Sequence, residues 1–278
     1  MSAAPLVVSG NDARWGVALG SGLKMEDSLW AGLTDSHAGL PMGMTAENLA
    51  DKYDISRKEC DEYAVRSQML WASAHASGTF ADEIVAMEVK TKKGPKVVDT
   101  DEHPRPDASA EKMGGLRPVF KKGGVVTAAN ASGICDGAGS LLVAGESSLA
   151  LNNLTPLARV VAWHEVGCEP EIMGIGPAGA IRGALKKAGL TLADMDMIEI
   201  NEAFAAQYLA VEKELGLERT KTNTSGGAIA LGHPLGASGS RIMAHITHQL
   251  RSKGMKYGVG AACIGGGQGI AIIVENVA

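Results

Sequence analysis

The chain has 278 residues, 45 % of them apolar, and a formal net charge of −5, a composition typical of a globular protein with a buried core. The acidic balance disfavours binding to nucleic acid or to an anionic membrane surface, because both select for clustered basic residues. The longest apolar runs are only as long as a strand, so we expect no transmembrane span. Residues 1–8 lack the charged start and apolar core of a secretory signal, and no targeting segment is readable in the chain.

The four cysteines, Cys60, Cys135, Cys168 and Cys263, are widely separated in the sequence. They contain no Cys-X-X-Cys pair and no spacing typical of metal ligands. We therefore predict a reduced intracellular protein with neither a disulfide framework nor a metal site.

The first part of the chain predicts two helices and a long surface excursion. Residues 1–44 are rich in glycine and show no clear period. A short helix is expected from Thr45, and a capping box at Ser56 and Glu59 predicts a second one. One face of that second helix would carry Cys60, Ala64, Ser67, Trp71 and Ala74. Residues 81–124 are charged and contain many turn signals, which favours a path over the surface.

The later part of the chain predicts regular alternation of strands and helices. Two short strands are expected within residues 125–145, with the apolar residues 141–144 as a buried strand. Further strands are expected at 157–163, 195–200, 257–263 and 269–275, and helices from Pro177 to Gly189 and over 202–215 and 238–253. This pattern predicts an α/β layered fold with a mixed, mostly parallel sheet, to which the two terminal strands add an antiparallel edge.

Two residues in glycine-rich surroundings suggest acyl or proton transfer on a thioester. His233 precedes a predicted helix within Gly-His-Pro-Leu-Gly-Ala-Ser-Gly, where a neutral imidazole could act as a general base. Cys263 ends an apolar strand before a glycine run, where its thiol could move a proton beside an oxyanion site. The structural alternatives are a turn histidine bonded to the backbone and a buried small apolar residue.

Two further motifs lie at predicted helix starts. Asn201 stands between a predicted strand and helix, so it could cap the helix or present its amide to a ligand. Residues 174–179 match Gly-X-Gly-X-X-Gly, which would suggest a nucleotide-dependent oxidoreductase. No strand runs into that motif, and Pro177 removes one N–H group, so we predict a helix entry and no dinucleotide site.

Three motifs occur together in a fixed order: Asn-Glu-Ala-Phe-Ala at 201–205, Gly-His-Pro-Leu-Gly-Ala-Ser-Gly at 232–239, and Cys-Ile-Gly-Gly-Gly-Gln-Gly at 263–269. With Met-Thr-Ala-Glu-Asn at 44–48 and Asn-Ala-Ser-Gly at 130–133, they resemble the thiolases, which make and cleave 3-ketoacyl-CoA. The resemblance covers essentially the whole chain. Leu-Pro-Met-Gly at 40–43 is most similar to the mitochondrial type of fatty-acid β-oxidation, since acetoacetyl-CoA thiolases tend to have histidine in place of Pro41.

The resemblance implies roles for individual residues. His233 would activate a nucleophilic cysteine, Cys263 would exchange a proton with the acetyl carbon, and Asn201 with His233 would form one oxyanion hole through a water. Gly265 would contribute its N–H group to a second oxyanion hole. Contacts with CoA and the acyl group would come from Arg105 on the adenine, Ser132 on the pantetheine arm and Phe204 on the acyl site.

The resemblance also implies partners and surroundings for the chain. CoA would be a substrate, with no permanently bound cofactor, and relatives form homo-oligomers. The mitochondrial matrix is the location it implies.

One departure from the family is large. Thiolases carry the nucleophilic cysteine in a segment of their first half. Met1 of this chain aligns with a position beyond that segment, so no cysteine here matches the nucleophile. We therefore expect residues 1–150 to form an incomplete N-terminal domain with a loop region over about 20–124, and 151–278 a complete C-terminal domain. The leading hypothesis is a thiolase-family acyltransferase chain that is inactive alone. The alternative is a non-catalytic CoA-binding or assembly protein.

Overall fold

The computed structural model describes residues 6–9 and 24–277 of the chain. Its strands are β1 (Leu6–Ser9), β2 (Lys24–Asp27), β3 (Met87–Thr91), β4 (Gly94–Val98), β5 (Ala158–Gly167), β6 (Met197–Ile200), β7 (Tyr257–Ile264) and β8 (Gln268–Asn276). Its helices are α1 (Ser28–Gly32), α2 (Met42–Tyr53), α3 (Arg57–Ala76), α4 (Ala110–Gly114), α5 (Glu146–Leu151), α6 (Gly176–Ala188), α7 (Ala205–Leu215), α8 (Ala228–Leu231) and α9 (Ser238–Lys253).

The central sheet has four strands in the order β5-β8-β7-β6. Strands β6 and β7 pair in parallel, with Ile200 opposite Ala261. Strand β8 runs antiparallel to both of its neighbours, so three strands share one direction and one opposes them. The predicted α/β fold with a mixed sheet is confirmed, whereas mostly parallel pairing is wrong, because β8 lies between two strands of opposite direction. The two terminal strands are central and do not form an edge, since β5 and β6 flank them.

Helices cover both faces of this sheet. On one face α6, α7, α2 and α3 pack into the main core, which includes Ile181, Leu209, Ile200 and Ile273. On the other face α9 packs through Ile242, Ile246 and Leu250 against Met197 and Val274. Strand β6 and most of β7 are therefore buried on both sides, as expected for strands with apolar runs, whereas the edge strand β5 leaves Val160 and Trp163 exposed.

Local signals fix the helix ends that the sequence predicts. The Ser56 side chain accepts from Glu59 N while the Glu59 carboxylate accepts from Ser56 N, which is the predicted capping box of α3. Helix α6 has proline in its first turn and ends at Gly189, whose φ is +67°. Helix α2 begins at Met42, three residues earlier than predicted from Thr45. Among the described residues, no helix is both long and apolar enough to cross a membrane.

The surface excursion is confirmed, and it contains one element that the sequence does not predict. Strands β3 and β4 form an antiparallel hairpin whose turn lies between Thr91 and Gly94. The hairpin is almost wholly exposed, with Met87 and Val97 outside the core. Its lysine-rich sequence hides the alternation that would indicate a strand.

The two strands expected within residues 125–145 do not form. That segment makes only isolated bridges, from Ala131 to Phe204 and from Ile134 to His233. The apolar residues Leu142 and Val143, expected in a buried strand, are 80 % and 81 % exposed. The prediction was wrong because no described strand lies beside this segment to pair with it.

Helix α6 and strand β8 meet at two glycines whose backbones touch. A Cβ on Gly269 would overlap the carbonyl group of Gly176, and a Cβ on Gly176 would overlap that of Gln268. The first turn of α6 can therefore lie against the sheet only because neither residue has a side chain.

We expect Gly269→Ala to lower the free energy of unfolding by about 2 kcal/mol or more, because the added methyl group meets rigid backbone. Gly114→Ala is the matched control, since nothing lies within 4 Å of the position that its methyl group would take. Alanine favours a helix, so that control should be neutral or slightly stabilising. Urea unfolding measures both, and equal midpoints for the two variants would contradict the close approach.

Candidate active site

The candidate site lies where the parallel strands β6 and β7 end. Asn201 follows β6 directly, and its backbone N–H donates to Ala261 O at 2.9 Å. Cys263 lies two residues further along β7, opposite Gly269 of β8. The carboxyl ends of neighbouring parallel strands meet at one edge of a sheet, which is a common location for ligand sites in α/β proteins.

The His233 backbone is held in a turn that follows α8. Gly232 adopts φ +93°, and a Cβ there would also lie 2.6 Å from Cys135 Sγ. The His233 N–H donates to Gly133 O at 2.7 Å, and Ile134 bridges His233 in parallel register. The glycines predicted to allow close backbone approach therefore bring residues 133–135 against the histidine turn.

The His233 imidazole makes a polar contact through each ring nitrogen. Its Nδ1 is 2.6 Å from Ser238 Oγ, at the start of α9, and its Nε2 is 3.4 Å from Asn201 Nδ2. The Ser238 hydroxyl donates to Pro234 O. With Ser238 Oγ thus accepting from Nδ1–H and the Asn201 amide donating to Nε2, Nε2 is the basic nitrogen of the ring.

Two effects lower the pKa of His233 below its ordinary value of 6.5: burial first, then the positive charge of Arg241. Both disfavour the imidazolium form. His233 is therefore neutral at neutral pH, as a general base must be.

Asn201 is buried, yet half of its amide is unsatisfied. The residue is 1 % exposed, and its Oδ1 has no hydrogen-bond partner among the described residues. Buried amide oxygens are normally bonded, so an unpaired one beside an imidazole marks a position for a ligand or a water.

Cys263 lies near the end of β7, and Gly265 lies in the turn that follows between β7 and β8. Burial raises the pKa of the Cys263 thiol to about 12, so it carries its proton at neutral pH. Gly266 and Gly267 adopt φ +83° and +80°, which makes the turn beyond Gly265 tight. A Cβ on Gly265 would crowd the Met42 side chain, so α2 begins directly against this turn.

The structure brings Ser132 and Phe204 together at the start of α7. Both the N–H and the Oγ of Ser132 donate to Ala203 O at 3.0 Å. Phe204 bridges Ala131 through its backbone, and its ring meets Phe120 edge to face at 6.3 Å. Phe204 is thus three positions after Asn201, and Ser132 is bonded to Ala203, two positions after Asn201.

Arg105 lies on an exposed loop, whose His103 side chain packs against Gly133, next to Ser132. Its Nη1 donates to the carbonyls of Glu102, His103 and Pro104, and its N–H donates to Gln68 Oε1 at 2.8 Å. The same loop reaches α8, because His103 Nδ1 lies 2.8 Å from Ala230 O. The loop is thus anchored to the helix that precedes His233.

Sequence reasoning missed the buried network behind Asn201. Glu202 is fully buried and accepts hydrogen bonds from Tyr63, Ser67, Asn223 and the Ile229 N–H. Only the identity of Glu202 within its motif could have pointed to it, since its partners are far away in sequence. Within the described ranges, no group of three His, Cys, Asp or Glu side chains is arranged to hold a metal.

Comparison with known proteins agrees with this architecture. The N-terminal domain of the thiolases matches residues 1–147, and their C-terminal domain matches residues 154–276. The chain belongs to the thiolase family.

Individual relatives can be named. Over 278 residues the chain is 59 % identical to human "3-ketoacyl-CoA thiolase, mitochondrial", covering all of this chain and 70 % of that protein. It is 48 % identical to "Acetyl-CoA acetyltransferase" of Syntrophomonas wolfei, over 99 % of this chain and 70 % of the relative. The crystal structure of the human mitochondrial enzyme superposes with a TM-score of 0.94, covering 99 % of this chain and 69 % of that one. A second human structure, solved in complex with CoA, gives 0.92 at 57 % identity over 99 % of this chain and 68 % of that one. These relatives are enzymes.

We expect Arg241→Gln to raise the pKa of His233 toward 6.5, because one of its two causes of depression is removed. Arg241 also acts on Glu199 and Asp101, whose carboxyls stay in place. NMR titration of the imidazole gives the value, with Arg251→Gln as the control on the exposed end of the same helix.

The sign of the linked stability follows from the same shift. The folded-state pKa of His233 lies below the unfolded value, so the unfolded chain binds the extra proton and stability falls as pH drops below about 6.5. Arg241→Gln should weaken that pH dependence. A His233 pKa that is the same in both arginine variants would show that Arg241 does not act on the ring.

Proposed function

We propose that this chain carries the thioester-binding and proton-transferring part of a 3-ketoacyl-CoA thiolase site. The observation that supports this most is the Asn201–His233 pair, in which the amide nitrogen lies 3.4 Å from the neutral imidazole Nε2 and the amide oxygen has no partner among the described residues. Groups held in this way can stabilise the oxyanion of a thioester that is under attack. The fatty-acid β-oxidation of the named mitochondrial relatives is the metabolic setting we infer, with the matrix as location.

Each residue has a distinct part in the proposed reaction. His233 Nε2 accepts the proton of an attacking thiol, and the sulfur then forms a bond to the 3-keto carbonyl carbon of the 3-ketoacyl-CoA, whose oxygen takes up the carbonyl electron pair and becomes the oxyanion. The negative charge on the carbonyl oxygen is stabilised by hydrogen bonds from the Asn201–His233 pair, and by the Gly265 N–H at a second oxyanion position. When the carbon–carbon bond breaks, Cys263 gives its proton to the departing acetyl carbon.

CoA would be bound as a substrate, as it is in the human structure solved with it, and the steps proposed need no resident cofactor. Ser132 and Phe204, beside Asn201, would contact the pantetheine arm and the acyl group. Arg105, on its exposed loop, would contact the adenine.

None of the four cysteines has the properties of an activated nucleophile. Burial raises the pKa of Cys60 to about 12, and it raises those of Cys135 and Cys168 as well. Cys263 is protonated for the same reason. A nucleophilic cysteine needs a lowered pKa. We therefore infer that the polypeptide of these 278 residues forms no acyl-cysteine on its own.

The test is thiolysis by the purified 278-residue polypeptide. We expect incubation with a 3-ketoacyl-CoA and CoA to give no new acyl-CoA by mass spectrometry beyond a His233→Ala control. Labelled acetyl-CoA followed by proteolysis should leave no acetyl group on any cysteine. Turnover above the control, or a label on Cys60 or Cys135, would show that this chain carries its own nucleophile.

Calorimetry separates this proposal from its alternative, a CoA-binding or assembly protein without catalysis. We expect CoA to bind, and Ser132→Ala to weaken binding by about fivefold, the effect of losing one ordinary hydrogen bond. Ser252→Ala is the matched control, because the Ser252 hydroxyl also donates to a backbone carbonyl but lies at the opposite end of α9 from Ser238. The alternative would be favoured by two results together. The wild type and Cys263→Ser would bind CoA with the same heat, and the wild type would not exchange the α-protons of acetyl-CoA in D2O. Absence of any heat would leave only a structural role.

Association and domain organisation are further parts of the proposal. The exposed Leu142 and Val143 give the polypeptide an apolar surface that favours nonspecific association. We therefore infer that a defined homo-oligomer forms poorly and that light scattering shows heterogeneous species. A single sharp dimer would contradict this. We also propose a division near residue 150, with an N-terminal domain before it and a C-terminal domain after it.

A further inference from the structure

The carboxylate of Glu202 is the most heavily bonded buried group near the candidate site. Its Oε1 accepts from Tyr63 Oη at 2.6 Å and from Asn223 Nδ2 at 3.0 Å. Its Oε2 accepts from Ser67 Oγ at 2.7 Å and from Ile229 N at 3.1 Å. Four hydrogen bonds satisfy both oxygens of this carboxyl group without contact with solvent.

The space around this carboxylate is closely fitted. A Cβ on Gly227 would overlap the Glu202 carboxylate, so the backbone that leads to α8 passes directly against it. The Gly227 N–H in turn donates to Ser67 Oγ at 3.1 Å. Two cations lie over the ring of Tyr63: the guanidinium groups of Arg66 and Arg219 are 5.7 and 5.8 Å from its centre.

The four donors connect Glu202 to both halves of the Asn201–His233 pair. Glu202 is the next residue after Asn201, so its position determines where the Asn201 peptide lies. Its bond to Ile229 N holds α8, which ends at Gly232, immediately before His233. Tyr63 and Ser67, one turn apart on α3, fix the carboxylate from the opposite side.

We propose that Glu202 is a positioning residue, whose buried carboxylate sets the separation between the Asn201 amide and the His233 imidazole. The proposal rests on the proposed function for the importance of that pair. Its geometry does not, because the network is complete without a substrate.

Two stacked tyrosines provide the test. Tyr63 and Tyr208 are both fully buried, with ring centres 4.1 Å apart. Only the Tyr63 hydroxyl bonds to Glu202, whereas the buried Tyr208 hydroxyl makes no hydrogen bond to that carboxylate. Tyr63→Phe and Tyr208→Phe therefore remove the same atom from the same stack, and only the first removes a bond to the carboxylate.

The readout is the set of ring ¹⁵N–¹H signals of His233 in the full 278-residue chain, assigned among seven histidines by their loss in His233→Gln. We expect Tyr63→Phe and Ser67→Ala to shift the His233 ring signals and Tyr208→Phe to leave them at the wild-type positions. Glu202→Gln should shift them furthest, and where it does not fold, the two donor variants carry the test.

A merely structural role would give a different result. In that case Tyr63→Phe would lower the melting temperature while the His233 ring signals stayed in place, and the proposal would be overturned. The spectra are recorded without acyl-CoA. A chain that binds no CoA but shows the expected shifts would refute the proposed function and leave the positioning role intact.

Discussion

The structure depends on buried polar side chains that satisfy the backbone of irregular segments. The segment that leads into residues 130–135 is neither helix nor strand, so its N–H groups need other acceptors. Glu47 of α2 accepts from Val125 N and Val126 N, both at 2.9 Å. Asn223 accepts from Ile200 N and donates to Ile200 O, both at 2.8 Å, and so replaces a neighbouring strand at the edge of β6. Glu202 does the same for Ile229.

This arrangement explains how a site built on loops can be geometrically defined. Asn201 and His233 come from different segments, and neither is held by a helix or strand of its own. Hydrogen bonds from α3, through Tyr63 and Ser67, tie the network to a twenty-residue helix that is itself packed in the core. Leaving one such buried acceptor unpaired costs about 1–3 kcal/mol, so the loops cannot shift independently of the helix.

Features encoded by neighbouring residues could be predicted from the sequence. The ends of α3 and α6 follow from Ser56 with Glu59 and from Pro177 with Gly189, each pair of signals lying within one helix. The sequence indicates His233 by the glycines around it and Asn201 by the strand that it follows, because both signals lie in neighbouring residues. Three-dimensional partners were not visible. Tyr63 and Glu202 are 139 residues apart, and nothing in either segment indicates the other.

The exposed residues 141–144 show the opposite limit. Their apolar composition favours burial and so predicts a buried strand, yet Leu142 and Val143 are exposed. A segment is buried only where a second surface packs against it, and none of the described residues covers Leu142 and Val143. The prediction that β7 and β8 form an edge of the sheet is wrong for a related reason. A hairpin is readable from sequence, whereas its lateral position depends on which other strands reach it.

The contrast between two adjacent residues distinguishes scaffold from chemistry in this protein. Glu202 has four partners and no exposed surface, and its bonds are all used in holding segments together. Asn201, also buried, has an oxygen without a partner and an N–H group that reaches only to 3.4 Å from His233. Desolvating an amide oxygen without a bond is unfavourable, and the satisfied network next to it has the stability to hold it there. The acceptor left over at Asn201 Oδ1 can bind the hydrogen of a water, and that water can donate its other hydrogen to a thioester oxygen.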